Sequence, residues 1–405
     1  MQLRVAHFYP WVYLTSGIER TIVEMVRRSR HAHTIFTNHF VQSDTYREFA
    51  GMNVVQLEKV SVKRSIIPVL RAAFTLALQK LPLDQYDVLM IHCDGLGDLA
   101  LLRSHQIPCI CFCHTPLRVV FDPIYRRRVR ARYRGLFRIP FDLLSSIYGA
   151  LDRRLWKRYK HVILNSRETL KRAQHGGLLD KDASFSILHP GCDLSRFRPG
   201  EERKKFFLAP GRIMWTKNLE TAIRGFLEAK AHCPEMQEFS LIVAGRVDEK
   251  SKHYLALLRE LVMSRDDVQF RVNPEDEELI GLYRSCCGVV CVAENEDWGI
   301  VPLEANACGK PVIATFSGGL AESQVDGVTA LLVNPEPEAV GEAFRTLVHN
   351  PVLSDELGAN GLLNSKRFDW GPFVESVDEL LEGIVRKQPI PHNVGRQSES
   401  GIFEK

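Results

Sequence analysis

No run of about 18 or more apolar residues occurs anywhere in this chain, so it offers no candidate for a helix that spans a bilayer. It has no Cys-x2-Cys pair, which leaves zinc without its usual ligand spacing. His92 with Cys93, and Cys111, Cys113 and His114, come nearest to a ligand cluster, but no matching distant pair accompanies them. The ten cysteines form no even framework. Cys109, Cys111 and Cys113 alternate along an apolar strand pattern, where a thiol acts as a small hydrophobe, and reduced thiols of a cytoplasmic protein are the simpler expectation. Glycines are missing where a dinucleotide-binding fold needs them, because the first strand runs into PWVYLTSG, and this disfavours a nicotinamide-dependent oxidoreductase. A metal-dependent diphosphate site would need an Asp-x-Asp pair on a strand-end loop. Asp180-Lys181-Asp182 has the letters but lies in a polar connection before Phe185, so no metal is expected. The opening MQLRVAHFYPW holds Arg4 and His7 inside its only apolar stretch and reads as a first strand, not as a secretory leader.

What is present fits a folded protein of two domains. The chain has 405 residues, 45% hydrophobic and 25% charged, too long for one ordinary core. Short apolar runs recur: Leu3 to Phe8, Thr34 to Thr37, Val54 to Leu57, Val88 to Ile91, Ile107 to Cys113 and Val162 to Leu164. Helical patterns such as Gly17 to Arg28 and Ser65 to Gln79 fill the gaps, the signature of a parallel sheet covered on both faces. After the Pro, Gly and Arg-rich passage His189 to Arg203 the pattern restarts at Phe206 to Ala209, Leu241 to Ala244, Val268 to Phe270, Val289 to Val292, Val312 to Thr315 and Ala330 to Val333. The expectation is α/β throughout, with domains at 1–195 and 196–367. A helix at 368–387 follows, then a patternless tail at 388–405 that reads as disordered. Ligands of open α/β sheets bind beyond the carboxyl ends of the strands, so the active site is expected in a cleft between the domains.

Glu296 and Glu304 stand eight positions apart in VCVAENEDWGIVPLEANACGKPVIATFSGGLAES. An apolar strand run ends at Ala293, a polar turn holds Gly299, and Pro302 opens a helical pattern. N–H groups at such a strand-to-helix turn, here those of Gly299, Ile300 and Val301, favour an anionic ligand. Carboxylates repel a phosphate, so the two glutamates suit the hydroxyl groups of sugars on either side of it.

In APGRIMWTKN, Gly211 permits a tight turn, and Arg212 and Lys217 can converge on one pyrophosphate from successive points of the loop. Taken alone, a solvated basic loop is as good a reading. In SGIER, Gly17 precedes a helix and can bring backbone amides near a diphosphate. In CHTPLR, His114 sits just past a buried strand, where a lone histidine is more often structural than catalytic.

These segments, with LNSRET and HPGCDLSRF, resemble those of the family 4 retaining glycosyltransferases of the GT-B fold, over nearly the whole chain. The resemblance implies two Rossmann-like domains facing across a cleft, the first on the acceptor side and the second binding the nucleotide sugar, with the last helix crossing back to the first. It implies transfer of a hexosyl group from a nucleoside-diphosphate sugar to a hydroxyl acceptor with retention at the anomeric carbon. Glu296 matches the carboxylate near the transferred sugar, Glu304 the one on the ribose, Arg212 and Lys217 the pyrophosphate-binding pair, Gly17 the amino-terminal glycine loop and His114 the first-domain histidine near the donor sugar. The form of CHTPLR is similar to that in mannosyltransferases of polysaccharide assembly, which points to GDP-mannose, with a UDP-hexose or UDP-N-acetylhexosamine next. Lipid-linked saccharides, polysaccharides and natural products all fit as acceptors. The chain departs from the family in having Ser16-Gly17 where two glycines are frequent, Trp298 where Phe is usual and Asn306 where Met is common.

The formal net charge is +4, and basic residues crowd between Arg118 and Lys160. Clustered arginines with Leu136, Phe137, Ile139, Phe141, Leu143, Leu144, Ile147 and Trp156 suit a segment lying on anionic lipid, at the cytoplasmic face of a membrane, or gripping a lipid-diphosphate acceptor. A solvated basic helix packed on its apolar side is the plainer reading. No nucleic-acid motif accompanies the charge. A non-catalytic sugar-nucleotide-binding scaffold is the alternative to an enzyme.

Overall fold

The computed structural model describes residues 2–63, 65–131, 133, 138–263 and 265–388. Leu136, Phe137 and nearly all of the tail expected at 388–405 lie outside the described residues. Two compact units divide the chain: residues 1–189 with 371–405, and residues 190–370. The first boundary thus falls ahead of the 195/196 expected from sequence, and the last helix, Trp370–Val385, begins at the second boundary.

The first unit holds β1 (Arg4–Phe8), β2 (Trp11–Val12), β3 (Ala32–Thr37), β4 (His39–Phe40), β5 (Val54–Gln56), β6 (Val88–Cys93), β7 (Cys109–Cys113), β8 (His161–Leu164) and β9 (Phe185–Ile187). Seven of these make one parallel sheet in the order β5-β3-β1-β6-β7-β8-β9, and β2 pairs with β4 apart from it. β6 and β7 are buried at every residue, as continuous apolar runs require when helices cover both faces. β9 escaped the sequence reading because Phe-Ser-Ile is short and carries a polar centre.

The second unit holds β10 (Phe206–Pro210), β11 (Ser240–Gly245), β12 (Val268–Val272), β13 (Gly288–Cys291), β14 (Val312–Thr315) and β15 (Ala330–Val333) in the parallel order β12-β11-β10-β13-β14-β15. Phe207, Phe226 and Phe344 are fully enclosed beside this sheet, each ring edge-on to the next. Each buried aromatic of this kind contributes roughly 1.5–3 kcal/mol relative to exposure. All ten cysteines are free and buried. No helix among the described residues is long and apolar enough to cross a membrane.

The basic segment folds as helices Arg118–Phe121, Pro123–Arg130 and Arg138–Trp156. The plainer expectation, a helix packed on its apolar side, holds for Phe141 and Trp156 but fails for Ile139, Leu143 and Ile147, which are 63%, 58% and 56% exposed. These three recur every fourth residue and form one stripe, because the inward face of the helix is already filled by Phe141, Ser145, Gly149 and Asp152.

Candidate active site

In the second unit the chain leaves β13 and turns over the strand ends under close control. The Thr315 hydroxyl donates to the Ala293 carbonyl at 2.7 Å, and the Ser317 hydroxyl accepts the Asn295 N–H at 2.8 Å. Asn295 takes a left-handed φ of 55°, which asparagine tolerates. The Gly319 N–H donates to the Glu296 carbonyl at 2.9 Å. A Cβ on Gly318 would overlap that carbonyl, and one on Gly319 would lie 2.5 Å from the Asp297 carbonyl oxygen. The Ser317-Gly318-Gly319 turn therefore presses backbone against backbone and fixes where Glu296 starts.

Lys217 is brought to the same place by a different route. It ends a single turn, Trp215–Lys217, and Asn218 follows in the left-handed region with φ 52°. The Asn218 amide donates to the Val292 carbonyl at 3.3 Å, which ties the basic loop to the end of β13. Lys217 Nζ then donates to both oxygens of Glu296, at 2.9 and 2.8 Å. Arg212, by contrast, is exposed and makes no hydrogen bond or ion pair among the described residues. Gly211 before it has φ 121°, and its carbonyl occupies the space that a Cβ on Gly245 would need.

Glu304 has its own partner. The buried Tyr283 hydroxyl donates to its Oε2 at 2.5 Å. Burial, and then the Glu304 charge, push the Tyr283 phenol well above its usual range, so it stays a donor. The helix Val301–Ala307, which carries Glu304, has only seven residues, and Pro302 brings no N–H to it. Its long-range dipole is therefore small. What it offers an anion is local: the N–H groups of Gly299, Ile300 and Val301 meet no acceptor among the described residues. Gly299 has φ 84° and would place a Cβ 2.6 Å from Leu320 Cδ2, so only glycine fits. Nearby Cys291 is no nucleophile, since burial pushes its thiol up to about 12.

Gly17 and His114 belong to the first unit. Gly17 is the first residue of helix Gly17–Arg28, capped by the Ser16 hydroxyl, which accepts the Ile18 N–H at 3.3 Å. His114 follows β7, with its N–H on the Cys93 carbonyl at 3.0 Å and its own carbonyl accepting from the Asn165 amide at 2.8 Å. Its side chain is 6% exposed, and its Nε2 lies 3.0 Å from His92 Nδ1. Burial pushes the imidazole down to about 3, so His114 is neutral. Asp180, of the Asp-x-Asp letters, pairs at the surface with Lys157 at 3.1 Å.

The sequence profile described as "Glycosyl transferases group 1" matches residues 193–363, and the one described as "Glycosyltransferase Family 4" matches residues 15–196. The chain belongs to this glycosyltransferase family. It is an enzyme of the transferase class, with two parallel-sheet units of the GT-B type. Among curated proteins, the alpha-1,3/1,6-mannosyltransferase ALG2 of Dictyostelium discoideum is 27% identical over 306 residues, covering 67% of this chain and 70% of that one. A D-inositol 3-phosphate glycosyltransferase of Corynebacterium jeikeium is 30% identical over 53% of this chain and 54% of its own. Among solved structures, Anabaena HepE in complex with UDP and glucose superposes with a TM-score of 0.71 at 16% identity, covering 94% of this chain and 100% of that one.

Sequence reasoning named Glu296, Glu304, Arg212, Lys217 and the turn at Gly299 as candidates but passed over Tyr283, Asn218 and the Ser317-Gly318-Gly319 turn around them. The Gly-Gly pair directly after an apolar strand run was the available signal for the last of these. Tyr283 gave none, because it sits on an ordinary helical spacing, in helix Asp276–Ser285.

Proposed function

We propose that the enzyme moves a hexosyl group from a nucleoside-diphosphate sugar to a hydroxyl acceptor with retention of anomeric configuration. The observation that carries this reading is the Lys217–Glu296 ion pair beside the N–H groups of Gly299, Ile300 and Val301. A pyrophosphate gives Lys217 a new anion, and the three N–H groups and the exposed Arg212 complete its cradle. Glu296, released from Lys217, then accepts hydrogen bonds from the hydroxyls of the transferred sugar. Glu304 keeps one oxygen on Tyr283 and offers the other to the ribose. His114 and Gly17 are the first unit's candidates for binding the sugar and the diphosphate.

In the chemical step the bond from the anomeric carbon to the β-phosphate oxygen breaks, and a bond to the acceptor oxygen forms on the same face. The acceptor's proton passes to the departing phosphate oxygen. Charge grows on that phosphate as the bond breaks, so Lys217, Arg212 and the backbone donors lower the barrier most. Glu296 binds hydroxyls in this scheme and forms no covalent intermediate. The cations supply the charge stabilisation, so turnover in excess chelator is expected to match turnover without it.

GDP-mannose is the favoured donor, supported by the CHTPLR motif and by the mannosyltransferase name of one relative. A UDP-hexose or UDP-N-acetylhexosamine comes next, since HepE is described with UDP and glucose. A thermal-shift screen of nucleotide sugars followed by product mass identifies the donor. Glu296→Ala and Lys217→Ala are then expected to lose at least about a hundredfold in turnover while the fold is kept, because the two side chains are 18% and 19% exposed and water can reach whichever is left unpaired. Full turnover in both variants would defeat the site assignment.

The exposed stripe Ile139, Leu143 and Ile147 supports contact with an anionic membrane, where a lipid-linked acceptor resides. Ile124, also exposed, and a concavity of about 650 Å³ lined by Arg126, Arg127, Arg130 and Arg138 lie in the same helices. Asp142 neutralises Arg126 and Arg130, at 3.2 and 2.8 Å, and Arg127 has no partner among the described residues. At about 1 kcal/mol per cation, charge reversal at Arg126, Arg127 and Arg128 is expected to weaken binding to anionic vesicles by at least about a hundredfold. Unchanged sedimentation with vesicles would sink the membrane reading.

A further inference from the structure

Four histidines of the first unit join in one hydrogen-bonded file. His33 on β3, His7 on β1, His92 on β6 and His114 after β7 stand on neighbouring strands in sheet order. The file is a product of register. His33 pairs with Val5, two residues before His7; His7 pairs with Met90, two before His92; His92 pairs with Phe112, two before His114. A step of two keeps the side chains on one face and moves each imidazole toward the carboxyl ends of the strands, where ligands gather. Nitrogens meet at 2.7 Å from His33 Nδ1 to His7 Nε2, 2.9 Å from His7 Nδ1 to His92 Nε2, and 3.0 Å from His92 Nδ1 to His114 Nε2.

A neutral imidazole has one N–H and one lone pair, so all three bonds must run in the same sense. If they run toward His33, that residue carries its proton on Nε2. That atom is enclosed and has no partner, so an N–H there would go without an acceptor, at a cost of about 1–3 kcal/mol. If they run toward His114, His33 Nε2 holds only a lone pair, every N–H inside the file is satisfied, and the last proton stands on His114 Nδ1. This Nδ1 has no partner among the described residues and is not among the enclosed unpartnered atoms, so it is the open end of the file. A further proton anywhere along the file would again leave an enclosed N–H on His33, so the file stays neutral. Burial accordingly pushes all four imidazoles below their ordinary range. The titratable groups that face it lie at the His33 end: Asp378, which raises His33, and His31, which lowers it. Asp378 is occupied by the Ser29 hydroxyl and the Arg30 N–H, and His31 Nδ1 accepts the Leu3 N–H.

We propose that His33, His7 and His92 are positioning residues that lock His114 in the Nδ1–H tautomer, so that it meets the donor sugar as a neutral hydrogen-bond donor. The placement of the sugar at His114 rests on the function proposed above; the lock itself rests on the first unit alone. A histidine fixed in this way donates to an oxygen of the bound sugar and takes no proton from the acceptor.

Histidine-selective ¹⁵N labelling of the full chain and long-range ¹H–¹⁵N correlation read the tautomers directly. The wild type is expected to show His114 protonated on Nδ1 at neutral pH. His33→Asn places an amide donor where Nδ1 stood and is expected to keep that tautomer and the turnover. His33→Asp places an acceptor there, is expected to draw the His7 Nε2 proton and invert the file, and lowers kcat/KM about tenfold or more. His114 protonated on Nε2 in the wild type, or an unchanged His114 tautomer in His33→Asp, overturns the lock. Loss of turnover in His114→Ala with full turnover in His33→Asp also overturns it and leaves the site assignment standing. Full turnover in His114→Ala instead overturns the placement of His114 at the sugar, and with it the proposed role of the lock.

Discussion

Gly318→Ala tests whether the Glu296 loop is positioned by backbone contact. Gly318 has φ 63°, where an L-residue costs about 1–2 kcal/mol, and its new methyl would overlap the Glu296 carbonyl. Relieving an overlap of this kind adds about 1–3 kcal/mol, because the obstacle is main chain and cannot rotate away. Gly327 separates the two costs. Its φ is 68°, but nothing lies within 4 Å of the position its Cβ would take. Gly327→Ala is thus expected to show the conformational cost alone, a fall in melting temperature of a few degrees at about 2–4 °C per kcal/mol, with donor turnover unchanged. Gly318→Ala is expected to lose about 2–5 kcal/mol, and to shift Glu296 by enough to cut turnover about a hundredfold. Calorimetry and donor turnover on the two purified variants decide the matter. Equal turnover in both would refute the idea that the Ser317-Gly318-Gly319 turn holds the carboxylate in place.

Tyr283→Phe removes the donor to Glu304 and is expected to cost about 1–2 kcal/mol of stability and to raise the KM for the donor several-fold; an unchanged KM would show that Glu304 needs no such restraint. Lowering the pH should destabilise the first unit: His7, His92 and His114 are buried neutral, so the unfolded chain takes up protons first as pH falls below about 6.5. Stability is therefore full above pH 6.5 and falls by up to about 1.4 kcal/mol per histidine per pH unit below it, and a melting temperature that is flat from neutral to mildly acid pH would contradict this. Trp298→Phe keeps an aromatic ring on Phe368 but strips the Pro190 carbonyl of the indole N–H it accepts at 3.0 Å, at an expected cost of about 1 kcal/mol measurable by denaturant titration.

Strands of the second sheet were legible as apolar runs, and Ala330–Val333 begins and ends where its run does. The strand-to-helix turn at Gly299 was legible for a local reason as well, since a glycine and a proline bracket it. Pairings between distant residues were not. Lys217 and Glu296 lie 79 positions apart, and their meeting depends on Asn218 docking on Val292, a contact with no sequence period. The file of histidines was invisible for the same cause. Only His7 lay inside a strand run read from sequence, His33, His92 and His114 standing one residue beyond theirs, and the two-residue step from strand to strand exists only once the register is set. The basic segment misled in one direction only, because composition counts apolar residues but does not say that Phe141 faces inward and Leu143 outward.

The departure at Trp298 shows how the second unit holds the loop of Glu296 without help from the sheet. Residues 190–193 and 368–370 both belong to this unit and lie side by side, with the Cys192 N–H on the Phe368 carbonyl at 2.8 Å and a parallel bridge from Cys192 to Asp369. Gly191 allows the approach, since a Cβ there would come 2.6 Å from the Phe368 carbonyl oxygen. Trp298 closes over this pair: its ring lies 5.4 Å from Phe368, its N–H binds Pro190, and Leu303 and Ala307 of the following helix complete the cluster. A phenylalanine at the same place could fill the volume but could not reach the carbonyl. The loop of Glu296 is therefore fixed on three sides, by the glycine turn beneath it, by Lys217 on its carboxylate and by Trp298 on the chain segments where the unit begins and ends. Movement of residues 190–193 or 368–370 would pull on Trp298, two residues from Glu296, so strain in those segments is transmitted to the carboxylate proposed to bind the sugar.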